Sequence, residues 1–186
     1  MHRRREHGGP AFTIIELLIV MSIIIVLAGL VIATSGYVQE KSKRSRTEAE
    51  IAAMSAALES YKADNGIYPT DQTKTESVNP GNSILPGASL FLYEKLTGDT
   101  ALNGTGTGKS YMPFKPANLQ RLNMSQPISD ANPVLAIRDP FGNPFGYSTA
   151  KAAGQTYGYN PTFDLWSTAG TNGTSASDQA KWIKNW

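Results

Sequence analysis

The sequence predicts an α+β protein: a long N-terminal helix, transmembrane in its first half and amphipathic in its second, packed on a small antiparallel β-sheet with long loops. Three observations predict it. Residues 17–33 (LLIVMSIIIVLAGLVIA) form an uncharged apolar run, and Glu16 is the one charged side chain in residues 12–38. No proline interrupts the chain from Phe12 to Asp64. Beyond residue 133, short β-compatible runs alternate with turn formers.

The apolar run comes first in the argument. A membrane-crossing helix needs roughly 20 mostly apolar residues, and residues 12–38 supply them. An ordinary secretory signal would also show a basic start and an apolar stretch, with cleavage near Ala33. Its apolar region is usually only about 7–15 residues long, and no helical pattern continues past it. Here the pattern does continue. Ile51, Met54, Leu58 and Tyr61 recur at i, i+3, i+7 and i+10, one stripe on a helix. The alanines between them favour helix. Asn65-Gly66 supplies a left-handed stop, with Pro69 just beyond. A helix over residues 13–64 would be roughly 75–80 Å long at 1.5 Å per residue.

The remainder has a different texture. Residues 71–133 are rich in Gly, Asn, Ser, Thr and Pro. Within them, residues 88–96 (ASLFLYEKL) predict a short helix ending at Gly98, and residues 105–108 a flexible loop. Strands are expected at 134–137, 145–148, 155–159 and 163–167. Asp139-Pro140-Phe141-Gly142-Asn143-Pro144 is dense in turn formers and reads as the lead into a hairpin strand. The expected organisation is a basic leader over 1–11, a membrane half of the helix over 12–37, an amphipathic half over 38–64, and a globular domain over 65–186 whose variable part is 71–133.

Composition removes whole classes of chemistry. There is no cysteine, and the two histidines, His2 and His7, lie in the leader. A chain without the leader would have neither residue type, which excludes Ser-His-Asp and Cys-His catalysis and the usual transition-metal ligands. The formal charge of +2 also resides in the leader, where Arg3, Arg4 and Arg5 face Glu6. The rest carries 14 basic and 14 acidic side chains. A nucleic-acid-binding domain usually shows a basic excess, and none is present.

Glu16 stands out. A carboxylate at the centre of a membrane helix costs about 2.5–3.5 kcal/mol on insertion scales, so such groups are functional candidates with a partner to be named. The apolar segment holds no Lys or Arg. Cleavage between Ala11 and Phe12 would create an ammonium four residues upstream, within one helical turn. That ammonium would meet Glu16 of the same chain or of a neighbouring one. A solvated Glu16 at the headgroup level is the alternative.

The stretch Ala11-Phe12-Thr13-Ile14-Ile15-Glu16-Leu17-Leu18, behind a basic leader, resembles the cleaved leader and first helix of type IV pilins and of type II secretion pseudopilins. Four further segments resemble the major pseudopilin in order along the chain: Tyr61-Lys62-Ala63-Asp64-Asn65-Gly66-Ile67-Tyr68-Pro69-Thr70, Asp139-Pro140-Phe141-Gly142-Asn143-Pro144-Phe145, Phe163-Asp164-Leu165-Trp166-Ser167, and Asn185-Trp186. The resemblance implies cleavage by a prepilin peptidase after Ala11, where the family most often has Gly. It implies N-methylation of the new N-terminal Phe12, and Glu16 as the residue that sets register during assembly. The implied partners are further copies of the chain in a homopolymer, other pseudopilins, the prepilin peptidase and an inner-membrane assembly platform. The implied location is the bacterial inner membrane, single-pass, with the domain in the periplasm and later in a periplasmic filament. The leader and residues 41–46 are both basic, so charge counting leaves the orientation open and only the resemblance assigns it.

In that family the loop after this strand binds calcium. Here the corresponding residues would be Leu165, Ser167, Asn172 and Asp178, with a single carboxylate among them. Calcium prefers six to eight oxygens, several of them anionic, so the alternative is a loop pinned by Trp182 and Trp186. The expected function is a non-enzymatic filament subunit supporting protein export. A type IV pilin for adhesion, motility or DNA uptake is the alternative, and a signal-anchored extracytoplasmic protein a lesser one.

Overall fold

A computed structural model describes residues 12–81 and 86–186. Its elements, in chain order, are α1 (Ile14–Asn65), α2 (Pro86–Thr97), β1 (Leu119–Arg121), β2 (Val134–Ile137), β3 (Gly146–Ser148), β4 (Asp164–Ser167), α3 (Ala176–Gln179) and β5 (Ile183–Lys184), with a 3-10 turn at Pro116–Asn118. The chain divides after Ser42 into two compact units, and α1 contributes residues to both.

In the first unit, the large apolar side chains between Phe12 and Val38 are all exposed, from 51% at Val20 to 84% at Phe12. Among the described residues, α1 is the one helix long and apolar enough to cross a membrane.

The second unit, Lys43–Trp186, holds the core. Its stretch of α1 is amphipathic as the sequence pattern requires. Ile51, Met54 and Leu58 are buried, and Ala57 fills the gap between them. Burying side chains of this size contributes about 1.5–3 kcal/mol each. Tyr61, the last residue of the stripe, is half-buried and packs its ring 5.2 Å from that of Tyr111. Helix α1 ends where Gly66 turns left-handed, φ 80°, and its N–H closes on the Lys62 carbonyl at 2.8 Å.

Helix α2 buries Ala88, Phe91, Leu92, Tyr93 and Leu96. Ser89 Oγ docks it on β2 by accepting from Ile137 N–H (2.9 Å) and donating to the Ile137 carbonyl (3.0 Å). The expected stop at Gly98 is present, φ 70°. Segment 105–108 lies backbone-to-backbone against it: a Cβ on Gly98 would come within 2.6 Å of Gly108. That contact, with the left-handed backbone, requires glycine at 98.

The strands form two antiparallel sheets rather than one. β1 pairs with β2, Leu119 opposite Ile137, with an irregularity between Gln120 and Arg121. The other sheet runs β3-β4-β5, with Tyr147 opposite Leu165 and Ser167 opposite Ile183. A single bridge, Arg138 to Pro144, and Phe145 N–H on the Ile137 carbonyl (3.0 Å) connect the two.

The strand at 134–137 lies where expected, and those at 145–148 and 163–167 each start one residue later. The strand expected at 155–159 does not form. Gly154 and Gly158 adopt left-handed backbone, φ 81° and 98°, and the buried carboxylate of Asp164 accepts the N–H groups of Tyr159 (2.9 Å) and Asn160 (2.8 Å). That is turn chemistry, which consumes the donors a strand would present.

Candidate functional site: the start of the apolar helix and the latched C-terminal loop

The start of α1 is built by two side chains. Thr13 stands at the N-cap, and Glu16 three residues later. Glu16 Oε2 accepts from the Thr13 N–H (2.9 Å) and from its hydroxyl (2.8 Å), while Thr13 Oγ1 accepts from the Glu16 N–H (3.3 Å). This reciprocal capping box satisfies two backbone donors that the first helical turn leaves open. The carboxylate also complements the positive end of the helix dipole. Sequence reasoning singled out Glu16 and passed over Thr13, although Thr-x-x-Glu ahead of an apolar run carries the signal. Phe12 is exposed and sits next to the box. Ala11, the other residue of the expected cleavage junction, lies outside the described residues.

The C-terminal motifs are joined to one another. In the turn after β2, Asp139 Oδ1 accepts the N–H groups of Phe141 (3.0 Å) and Asn143 (2.9 Å), and Gly142 turns with φ 104°. Asp139 Oδ2 accepts the hydroxyl of Ser167 at the end of β4. Asn143 Nδ2 reaches Thr168 Oγ1 (2.9 Å). The Asp-Pro-Phe-Gly-Asn-Pro and Asp-Leu-Trp-Ser segments are thus two halves of one latch. Burial pushes the Asp139 carboxyl above the usual carboxylate range, against the lowering effect of these hydrogen bonds.

Beyond the latch, the Trp182 indole donates to Thr171 Oγ1 (3.0 Å), and the Trp182 and Trp166 rings lie 6.5 Å apart, nearly parallel. Trp186 stacks on Tyr159 at 4.5 Å and meets Trp166 edge-on at 5.9 Å. The pinning of the loop by Trp182 is in place.

The four residues considered for calcium are spread over this region. Leu165 commits its backbone to Asn185: its N–H donates to Asn185 Oδ1 (2.9 Å) and its carbonyl accepts from Asn185 N–H (3.1 Å). Ser167 Oγ donates to Asp139 and accepts from Ala169 N–H (2.9 Å). Asp178 turns inward on α3, where Ser175 is the N-cap and its hydroxyl donates to Asp178 Oδ2. Asn172 and Asp178 belong to one loop, with Gly173 close against the Asp178 carboxylate. Among the described residues no group of three or more His, Cys, Asp or Glu side chains converges. These four residues supply one carboxylate, and the Leu165 carbonyl and Ser167 hydroxyl are already engaged, where calcium takes six to eight oxygens.

Comparison with known proteins places the chain. No protein-family model matches it, and no solved structure matches it. The type II secretion system core protein G of Pseudomonas aeruginosa is 28% identical over 186 residues, covering 100% of this chain and 99% of that protein. The core protein G of Klebsiella michiganensis is 31% identical over 91 residues, 49% of this chain and 62% of that protein. The Escherichia coli core protein G is 36% identical over 83 residues, 45% and 57% respectively. The full-length match agrees with the wording of the motifs: the chain is similar, from end to end, to a type II secretion system core protein G.

Proposed function

We propose that the chain is the structural subunit of a periplasmic pseudopilus in a type II secretion-like system, without enzymatic activity. The observation that carries this reading is the first unit. An apolar helix with every large apolar side chain from Phe12 to Val38 exposed is stable only in lipid or among other such helices, and the one carboxylate of that stretch is already organised at its start. The full-length similarity to a core protein G supports the same reading.

In this reading the prepilin peptidase cuts between Ala11 and Phe12 and the new Phe12 amine is methylated. The amine becomes a cation beside the capping box. A cation at a helix N-terminus opposes the dipole, so Glu16 offsets it within the chain or on the neighbouring subunit and thereby sets axial register. The subunit starts in the inner membrane with its domain in the periplasm. It leaves for the filament by exchanging lipid for the helices of identical subunits and other pseudopilins on the assembly platform.

Mass spectrometry of the mature N-terminus tests the processing: a methylated Phe12 is expected, and an intact Met1 or a start near Thr34 refutes it. Glu16→Leu is expected to leave the domain folded and to abolish filaments in electron micrographs. Normal filaments from that variant would remove the register role.

Calcium at Leu165, Ser167, Asn172 and Asp178 is a separate proposal. The resemblance supports it and the donor shortage opposes it. Calorimetric titration of the full chain with calcium chloride decides: heat of binding together with a raised Tm sustains it, and the absence of both removes it.

A further inference from the structure

The second unit begins at Lys43, five residues after Val38, the last exposed large apolar residue before it. Five residues reach at most about 18 Å even when fully extended. Whichever way the unit turns, its first residues therefore stay within about two screening lengths of the place where the apolar span stops, a screening length being about 10 Å at 0.1 M salt.

The residues held there are positive. Lys43 and Arg46 are exposed and Arg44 is half-buried. Arg44 Nη1 donates to the carbonyl of Lys181 (2.9 Å), which ties the exposed Lys181 to the same end of the unit. Lys43 Nζ lies 5.7 Å from the centre of the Phe141 ring. The ion pairs among the described residues are Lys95 with Glu94 and Lys109 with Asp64, so none of these four cations has a carboxylate at ion-pair distance. Glu50 is the acid that Arg46 influences, but it accepts a hydrogen bond from Asn118 Nδ2 (2.6 Å). Glu40 and Glu48 lie on the same helix and form no ion pair with them.

Four surface cations usually mean a solvated face. Two things distinguish this set: the short tether to a membrane span, and the hydrogen bond that gathers cations from α1 and from the α3–β5 connection. We propose that this end of the unit, Lys43, Arg44, Arg46 and Lys181, docks on the anionic phosphate headgroups of the bilayer that α1 crosses. Helical side chains lean toward the helix N-terminus, so Lys43, Arg44 and Arg46 lean toward the end of the unit at which it begins. Guanidinium groups hold phosphate through paired N–H donors and ammonium groups as point charges. The contact is electrostatic and reversible, which suits a subunit that must later leave the membrane. It works in either leaflet. It rests on the membrane-spanning reading of residues 12–38 and is independent of filament assembly.

The test uses the full chain in lipid nanodiscs, made from phosphatidylcholine alone or with phosphatidylglycerol added. A spin label on the headgroups is read through broadening of the backbone amide signals of Lys43, Arg44, Arg46 and Lys181. Each basic residue near an anionic surface is worth about a fivefold change in partitioning, so broadening should increase several-fold with phosphatidylglycerol. The increase should disappear at about 1 M salt, where screening acts over about 3 Å. A chain carrying Lys43→Gln, Arg46→Gln and Lys181→Gln keeps the Arg44 hydrogen bond and should behave with phosphatidylglycerol as the native chain does without it. Equal broadening in both lipids, or an increase that survives salt or the triple substitution, overturns the proposal. So does an equal response to soluble glycerophosphoglycerol, which would mean a free-phosphate site. A chain that fails to enter nanodiscs refutes the spanning reading, and this proposal with it.

Discussion

Asp139 shows how one side chain joins segments far apart in sequence. Its two oxygens divide the work, one shaping the turn at Phe141 and Asn143, the other holding Ser167. Because burial raises its pKa above the ordinary 3.8, the folded state holds this proton more tightly than the unfolded chain. Stability must then fall as pH rises from the unfolded pKa through the folded one. Glu50 and Asp164 shift in the same direction, each chiefly through burial, while the exposed Asp64 and the half-buried Asp71 shift the opposite way through hydrogen bonds. An Asp139→Asn substitution retains the Oδ1 acceptor and removes one titration. The Tm of this variant, measured from about pH 4 to about pH 7, should fall less steeply than that of the native chain. An unchanged slope would mean that Asp139 titrates alike in the folded and unfolded states. The sequence identified this segment as a turn but gave no sign of its partner, because a contact between residues 139 and 167 leaves no local trace.

At the scale of elements, legibility followed periodicity and length. Helix α1 was readable because Ile51, Met54 and Leu58 repeat at helical spacing and Gly66 ends it. β2 was readable as a compact apolar run flanked by Pro133 and Asp139. β1 and β5 were not: three and two residues long, they carry too little pattern to separate from loop and exist because a partner strand offers hydrogen bonds. The strand expected at 155–159 failed for the converse reason, since β-compatible residues there met two left-handed glycines. The packing of β3 on β4 gives the sharpest element-level prediction. Gly146 lies opposite Trp166, and a Cβ on it would fall 2.1 Å from the indole Cε2. With Trp166 fully buried, the ring has nowhere to retreat. Gly146→Ala should therefore cost about 3 kcal/mol or more, seen as a lowered midpoint in denaturant unfolding. A variant as stable as the native protein would mean that the ring repacks freely.

For the whole molecule, the division after Ser42 separates an exposed apolar surface from a unit with its own core. That core draws on α1 from Ile51 onward, α2 and both sheets. Residues 43–186 produced alone should accordingly be monomeric in aqueous buffer and melt in one cooperative transition, followed by circular dichroism. Aggregation, or a broad non-cooperative melt, would show that the unit depends on the preceding residues. The apolar run of α1 was legible from charge and hydropathy. The Thr13–Glu16 box and the Arg44–Lys181 contact were not, since the first needs hydrogen-bond geometry and the second joins residues 137 positions apart.

Asn185 and Trp186 add a constraint on synthesis. Asn185 anchors to Leu165 and Phe163, and Trp186 completes an aromatic stack with Tyr159 and Trp166. A nascent chain cannot close its three-stranded sheet until these two residues have cleared the ribosome. The apolar helix is translated before them, and a chain lacking Asn185 and Trp186 would leave β4 without the Asn185 hydrogen bonds and Trp166 without its edge-on partner.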